Sequence, residues 1–143
     1  MPFFKTRRPG RVIVDPSCNG LAAAFDPTVQ ANALRLLATA TNPRINSADR
    51  AEWGEHISMP LFGRRPWIGP PFGEGQPNEI SGDLIMRTRP SWLENVLTGY
   101  HGQSVFLHVH PNPQDPKPVS AKDKALGIPV IAIDTDGRMT CAF

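Results

Sequence analysis

Near the C-terminus, Pro129-Val130-Ile131-Ala132-Ile133-Asp134 is a nearly continuous apolar run without polar alternation. Such a run fits a strand buried on both faces, so the chain has to supply cover on each side of a sheet. Asp136-Gly137 then reads as a hairpin turn leading into a returning strand from Arg138 to Phe143. Upstream, Gln103 to His110 reads as a central strand, and Ser120 to Leu126 as the start of a short helix. Together these segments predict a mixed α/β fold, a small curved mixed β-sheet with flanking helices.

The remaining segments fill in that frame. Asp26-Pro27 is a helix start signal, an N-cap acid followed by proline at the first helical position. Val29, Ala33, Leu36, Leu37 and Ala40 follow at helical spacing, until Asn42-Pro43 stops the helix. Asp83 to Thr88 reads as a strand, and Pro90 to Leu97 as a short helix ended by Gly99. Ser47 to Ile57 fits either a short helix or the lead into a strand. From Met59 to Glu79 the density of glycine and proline predicts a hairpin or irregular flap, in which Trp67 and Phe72 either line a groove or close over the core. Sixteen prolines and 12 glycines in 143 residues predict many turns and short elements. The length suits a single domain. Residues 1–24, with the strand-like Arg11 to Val14, form an N-terminal arm or edge strand, and residues 25–143 the domain itself.

Charge and cysteine content narrow the function classes. A net charge of +2 is too mild to argue for a nucleic-acid partner. The small basic clusters Lys5-Thr6-Arg7-Arg8 and Arg64-Arg65 read as solvated surface. Cys18 and Cys141 lie far apart in the chain and lack a C-x-x-C partner; they can pair if the termini meet, but Cys141, on an apparent terminal strand, reads rather as a buried free thiol. With no apolar run near the length of a membrane span and no charged-then-apolar leader, the expectation is a protein that is cytoplasmic or secreted without a classical signal peptide.

Chemistry concentrates in Phe106-Leu107-His108-Val109-His110-Pro111 and the downstream Ser120-Ala121-Lys122-Asp123. Strand side chains alternate between faces, so His108 and His110 share one face. Two imidazoles so placed make a metal clamp, which a carboxylate and an open position would turn into a catalytic zinc site. Asp123 is the nearest downstream candidate. It lies one helical turn from Ser120, so both can face the histidines from a helix starting there.

His108-x-His110-Pro111, a turn-rich loop, Ser120-x-x-Asp123 and then Gly127 to Asp134 resemble the JAB/MPN (JAMM) metalloprotease pattern. Within that superfamily the chain looks most like the divergent JAB-like domains of bacterial polymorphic toxins and secreted effectors, which have segments similar to Asn42-Pro43 and Glu52-Trp53-Gly54. The resemblance runs over residues 27 to 143 and implies a JAB/MPN-like, cytidine-deaminase-like architecture. It further implies zinc held by His108, His110 and Asp123, with Ser120 stabilising the tetrahedral intermediate and a glutamate as general base. Glu52 is favoured for that base over Glu55, and His56 is read as a surface or supporting residue. The loop from Pro111 to Val119 is about two residues longer than is usual in catalytic members, an insertion that loops absorb readily; Asp115 is the alternative third ligand.

The activity that the resemblance implies is hydrolysis of a peptide or isopeptide bond in a protein substrate, alongside a cognate protein partner of a toxin or effector system. Two other classes remain open at this stage. One is a catalytically inactive JAB-fold binding or assembly module. The other is a nuclease toxin using the histidine pair in acid-base roles, which the weak basic charge disfavours.

Overall fold

The computed structural model describes residues 10–46, 49–61, 63–73, 80–100, 104–112 and 119–143. The basic cluster Lys5-Thr6-Arg7-Arg8 and the alternative ligand Asp115 lie outside them. Among the described residues, six strands form one open mixed sheet: β1 (Ile13–Val14), β2 (Gly54–Ser58), β3 (Trp67–Ile68), β4 (Ser104–Val109), β5 (Val130–Ile133) and β6 (Arg138–Ala142). Their spatial order is β1-β6-β5-β4-β2-β3, so β4 and β5 are central. Those two run parallel, as a connection through a helix requires. β5 and β6 form the expected antiparallel hairpin, and its turn glycine, Gly137, has φ of 82°.

Helix α1 (Pro27–Ala40) begins where Asp26-Pro27 predicts, with the Asp26 carboxylate accepting from the backbone N–H groups of Thr28 and Val29 at 2.8 and 3.1 Å. Its Val29, Ala33, Leu36, Leu37 and Ala40 pack on one face of the sheet against Ile57, Val105, Leu107, Val109, Ile131, Ile133 and Met139. The opposite face is a smaller cluster of Phe106, Val130, Ala132, Ile80, Ile85 and Val119. Having both faces covered explains why β5 lacks polar alternation, since all four of its residues are buried.

Two expectations are corrected. Residues 82–88 form a helix, α2 (Gly82–Thr88), where a strand was expected. The Ser81 side chain caps it at Leu84 N–H, and Ile85 alone is turned fully inward. Leu84-Ile85-Met86 satisfies a strand pattern locally, but among the described residues no strand pairs with it, and capping with one buried position decides for helix. The second correction concerns the cysteines. Cys18 and Cys141 form a disulfide with Cα atoms 4.9 Å apart, closing a separation of 123 residues. β1 pairs in parallel with β6, so the 3₁₀ turn that follows it (Pro16–Cys18) is set directly against the terminal strand. The expected burial of Cys141 holds, and of the two outcomes open for the cysteines the pairing replaces the free thiol, because β1 brings the two ends of the chain together.

Three shorter helices complete the cover: α2, α3 (Trp92–Thr98) and α4 (Ala121–Lys124). No helix of the described residues is long and apolar enough to cross a membrane.

Candidate metal centre

β4 presents its side chains alternately, Val105, Leu107 and Val109 toward α1, Phe106 and His108 toward the other side. His110 follows immediately after the strand and keeps the same parity. Its Nε2 lies 3.0 Å from Nε2 of His108. From the crossover between β4 and β5, Asp123 brings Oδ2 to 3.2 Å from His108 Nε2 and 4.0 Å from His110 Nε2. All three residues are buried, and their donor atoms lie within 4.8 Å of one another.

This set fits a metal ion by chemistry and by spacing. Two imidazoles and a carboxylate form a borderline donor set suited to zinc. Tetrahedral donors at about 2.0–2.1 Å from a metal stand roughly 3.3 Å from each other, and the separations of 3.0, 3.2 and 4.0 Å bracket that edge.

The carboxylate is held in place by its own helix. Ser120 is the N-cap of α4: its Oγ accepts from Asp123 N–H at 3.1 Å, and Ser120 N–H donates back to Asp123 Oδ2 at 2.9 Å. The oxygen facing the histidines is therefore also anchored to the backbone, the kind of supporting bond that orients a metal-ligating carboxylate. Burial pushes the Asp123 carboxyl up, but the hydrogen bond and charge of His108, with the N–H and hydroxyl of Ser120, outweigh it and hold the group down at about 2. Asp123 is an anion throughout the neutral range.

Aromatic packing fixes the first histidine. The Phe106 ring stacks on His108 at 5.1 Å between centroids with 5° between planes. Phe106 in turn lies over Gly54 of β2, where an added Cβ would come within 2.5 Å of the ring. Glycine in the Glu52-Trp53-Gly54 segment thus permits the close approach that seats Phe106. On the same side, His56 stacks on Phe72 at 5.1 Å, and its Nε2 is 3.0 Å from Thr88 Oγ1. Of the two places expected for His56, surface or support, the structure has the second: it is buried, and burial drives its pKa down to about 4, so it is neutral near pH 7. Phe72 closes over this core cluster, while Trp67 stays largely exposed.

Strand register separates the two glutamates. β2 pairs antiparallel with β4, Gly54 opposite His108 and Glu55 opposite Leu107. Glu55 therefore belongs to the α1 face, away from the histidines, where the side-chain amide of Asn32 donates to its carboxylate. Burial raises the Glu55 pKa to about 7, against the opposing influence of Asn32 and the Arg35 charge. Val109 N–H donates to Trp53 C=O at 3.0 Å, which carries the pairing one residue past β2. Continued one step further, beyond the strand ends, that register would bring Glu52 level with His110, on the parity of the histidines; Glu52 is half-buried.

Residues that sequence reasoning missed are Phe106, Gly54 and Arg50. Arg50 donates to Pro111 C=O at 3.2 Å and ties down the chain directly after His110. Phe106 was legible as the same-face neighbour of His108; Arg50 carried no local signal. Scans against models of protein families, against curated proteins and against solved structures each found no match to this chain.

Proposed function

We propose that the chain is a zinc-dependent peptidase or isopeptidase of JAB type, acting on a peptide or protein substrate. The observation that carries this reading is the convergence of His108, His110 and Asp123 from one strand end and one helix start. Zinc bound by these three residues would acidify water and polarise a carbonyl.

The chain's own groups supply the rest. Glu52, on the histidine parity, accepts a proton from the attacking water and delivers it to the departing amine. The Ser120 hydroxyl, which accepts from Asp123 N–H, keeps its own proton to donate to a developing oxyanion. Asp123 stays ionised and oriented through Ser120 N–H, and the stacked Phe106 keeps the His108 ring from turning. The long loop before Ser120 does not displace Asp123 from the histidines.

The resemblance to toxin- and effector-associated JAB domains further suggests a cognate protein partner in such a system. The Cys18–Cys141 disulfide favours the secreted alternative over the cytoplasmic one, because buried disulfides persist in oxidising compartments. A non-catalytic JAB-fold binding module is the second reading, favoured by the engagement of Ser120 Oγ in a helix cap that needs no catalysis to explain it.

Glu52→Gln tests the enzyme reading. Zinc-loaded wild type should hydrolyse peptide or ubiquitin-like isopeptide substrates, and the variant should hold zinc equally while turning over roughly a hundredfold or more slower. Zinc binding without hydrolysis by wild type on any peptide or isopeptide substrate in a broad panel would move the chain to the binding module.

A further inference from the structure

On the face of the sheet away from the histidines, a polar pair stands where the pattern asks for aliphatic side chains. α1 turns Val29, Ala33, Leu36 and Leu37 inward, and Asn32 is buried beside them. Its side-chain amide donates to Glu55 Oε1, and its own Oδ1 accepts from Arg35 Nη1 at 2.9 Å. An acid and an amide at these positions cost stability that two aliphatic side chains would not. Such breaks in a core pattern concentrate at binding sites.

The pair opens onto a cleft of about 550 Å³ between α1 and the β3 edge. Glu55 and Asn32, 5% and 8% exposed, line its inner end, and the exposed Arg35 and Arg65 line its mouth. Pro27, Pro66 and Ile68 supply an apolar wall. Among the described residues neither arginine is in an ion pair, Arg65 makes no hydrogen bond, and Arg35 uses one of its five donors. Glu55 Oε2 likewise has no hydrogen-bond partner among them. Two guanidinium charges against one carboxyl leave the lining positive whether or not Glu55 is ionised, which disfavours a cationic ligand.

We propose that this cleft binds a small organic carboxylate, its anionic end held by Arg35, Arg65 and the Glu55 carboxyl and its apolar body against Pro27, Pro66 and Ile68. Guanidinium forks match a carboxylate in both shape and charge. The Glu55 carboxyl adds a donor when protonated, and burial brings that form within reach of neutral pH by raising its pKa to about 7. The charged groups around it are Arg35 from α1 and Arg65 from the segment before β3. The volume suits a small ligand, for which clefts run from roughly 300 to 1,000 Å³. Glu55 stands opposite Leu107 rather than His108, so the cleft and the metal centre lie on opposite faces and the proposal is independent of the zinc reading.

Titration of the full chain with acetate, butyrate, hexanoate and benzoate, followed by nuclear magnetic resonance, tests it. At about pH 6 at least one of the longer acids should saturably shift the Asn32 side-chain amide and the Gly69 backbone signal, both in the cleft lining, with millimolar or tighter affinity. The neutral amide of that acid should bind on the order of tenfold more weakly, and Arg35→Gln and Arg65→Gln should each lose roughly tenfold. Raising the pH from 6 to 8 should weaken wild type about tenfold, because above the Glu55 pKa a proton must be taken up with the anion. Glu55→Gln, whose amide N–H replaces the acid O–H, should keep its affinity over that range. If none of the four acids moves these signals, if binding is undiminished in both arginine variants, or if wild-type affinity does not change with pH, the proposal is overturned.

Discussion

The two faces of the sheet are built from the same strands yet hold different materials. Toward α1, the odd-numbered residues of β4 meet aliphatic side chains of a four-turn helix, and the disulfide closes the end of that layer. Toward α2 and α4, the even-numbered residues meet rings and imidazoles, with Phe106 stacked on His108 and itself packed by His56 and Phe72. A period of two along one strand thus separates a stabilising face from a chemical face. The α1 face buries area; the histidine face spends some of that stability on holding polar groups in place.

The sharpest break in this comparison should come from Leu107, fully buried between His108 and Phe106 in sequence but on the opposite face. Leu107→Ala should cost roughly 3–5 kcal/mol in chemical denaturation, while metal affinity of the remaining folded protein stays near wild type. Replacing both Cys18 and Cys141 with serine should cost about 2–4 kcal/mol, because the cross-link closes a very long loop. The same measurement on reduced wild type checks it. A loss of metal binding larger than the loss of stability, in either experiment, would mean that the faces are not separable.

A smaller, pH-dependent effect sharpens the contrast. Among the described residues Glu55 is the buried acid on the α1 face, and its pKa is raised from 4.5 to about 7. A raised folded pKa means that the folded state binds the proton more tightly. The associated stability is fully present below pH 4.5 and lost as pH rises through 7. Glu55→Gln keeps an acceptor for Asn32 and removes the titration. Wild type should therefore lose roughly 3 kcal/mol relative to the variant between pH 4.5 and 8, read from urea melts at both ends. Parallel stability curves for the two proteins would show that Glu55 is solvated.

Much of the chemical face was legible because it is written in short-range rules. The H-x-H spacing fixes a common face, and S-x-x-D at a helix start brings the carboxylate back to its cap; neither depends on distant parts of the chain. The mixed sheet followed from the doubly buried run of β5 and its Asp136-Gly137 turn. What stayed illegible depends on register or on distant partners. Glu52 and Glu55 are separated only by which of them opposes Leu107, and Cys18 meets Cys141 only because β1 adds to β6. Residues 82–88 carry a strand-like pattern that a capping serine and a single buried position, Ile85, override, as local propensity usually yields to tertiary context.

The most direct measurement is the metal content of protein purified without a histidine tag, for wild type and for His108→Ala, His110→Ala, Asp123→Ala and Asp115→Ala. Wild type and Asp115→Ala should hold one zinc per chain; the two histidine variants should hold none, and Asp123→Ala should bind markedly more weakly. If wild type takes up no zinc while folded, or if Asp115→Ala loses it and Asp123→Ala keeps it, the site at the end of β4 is not the metal centre described.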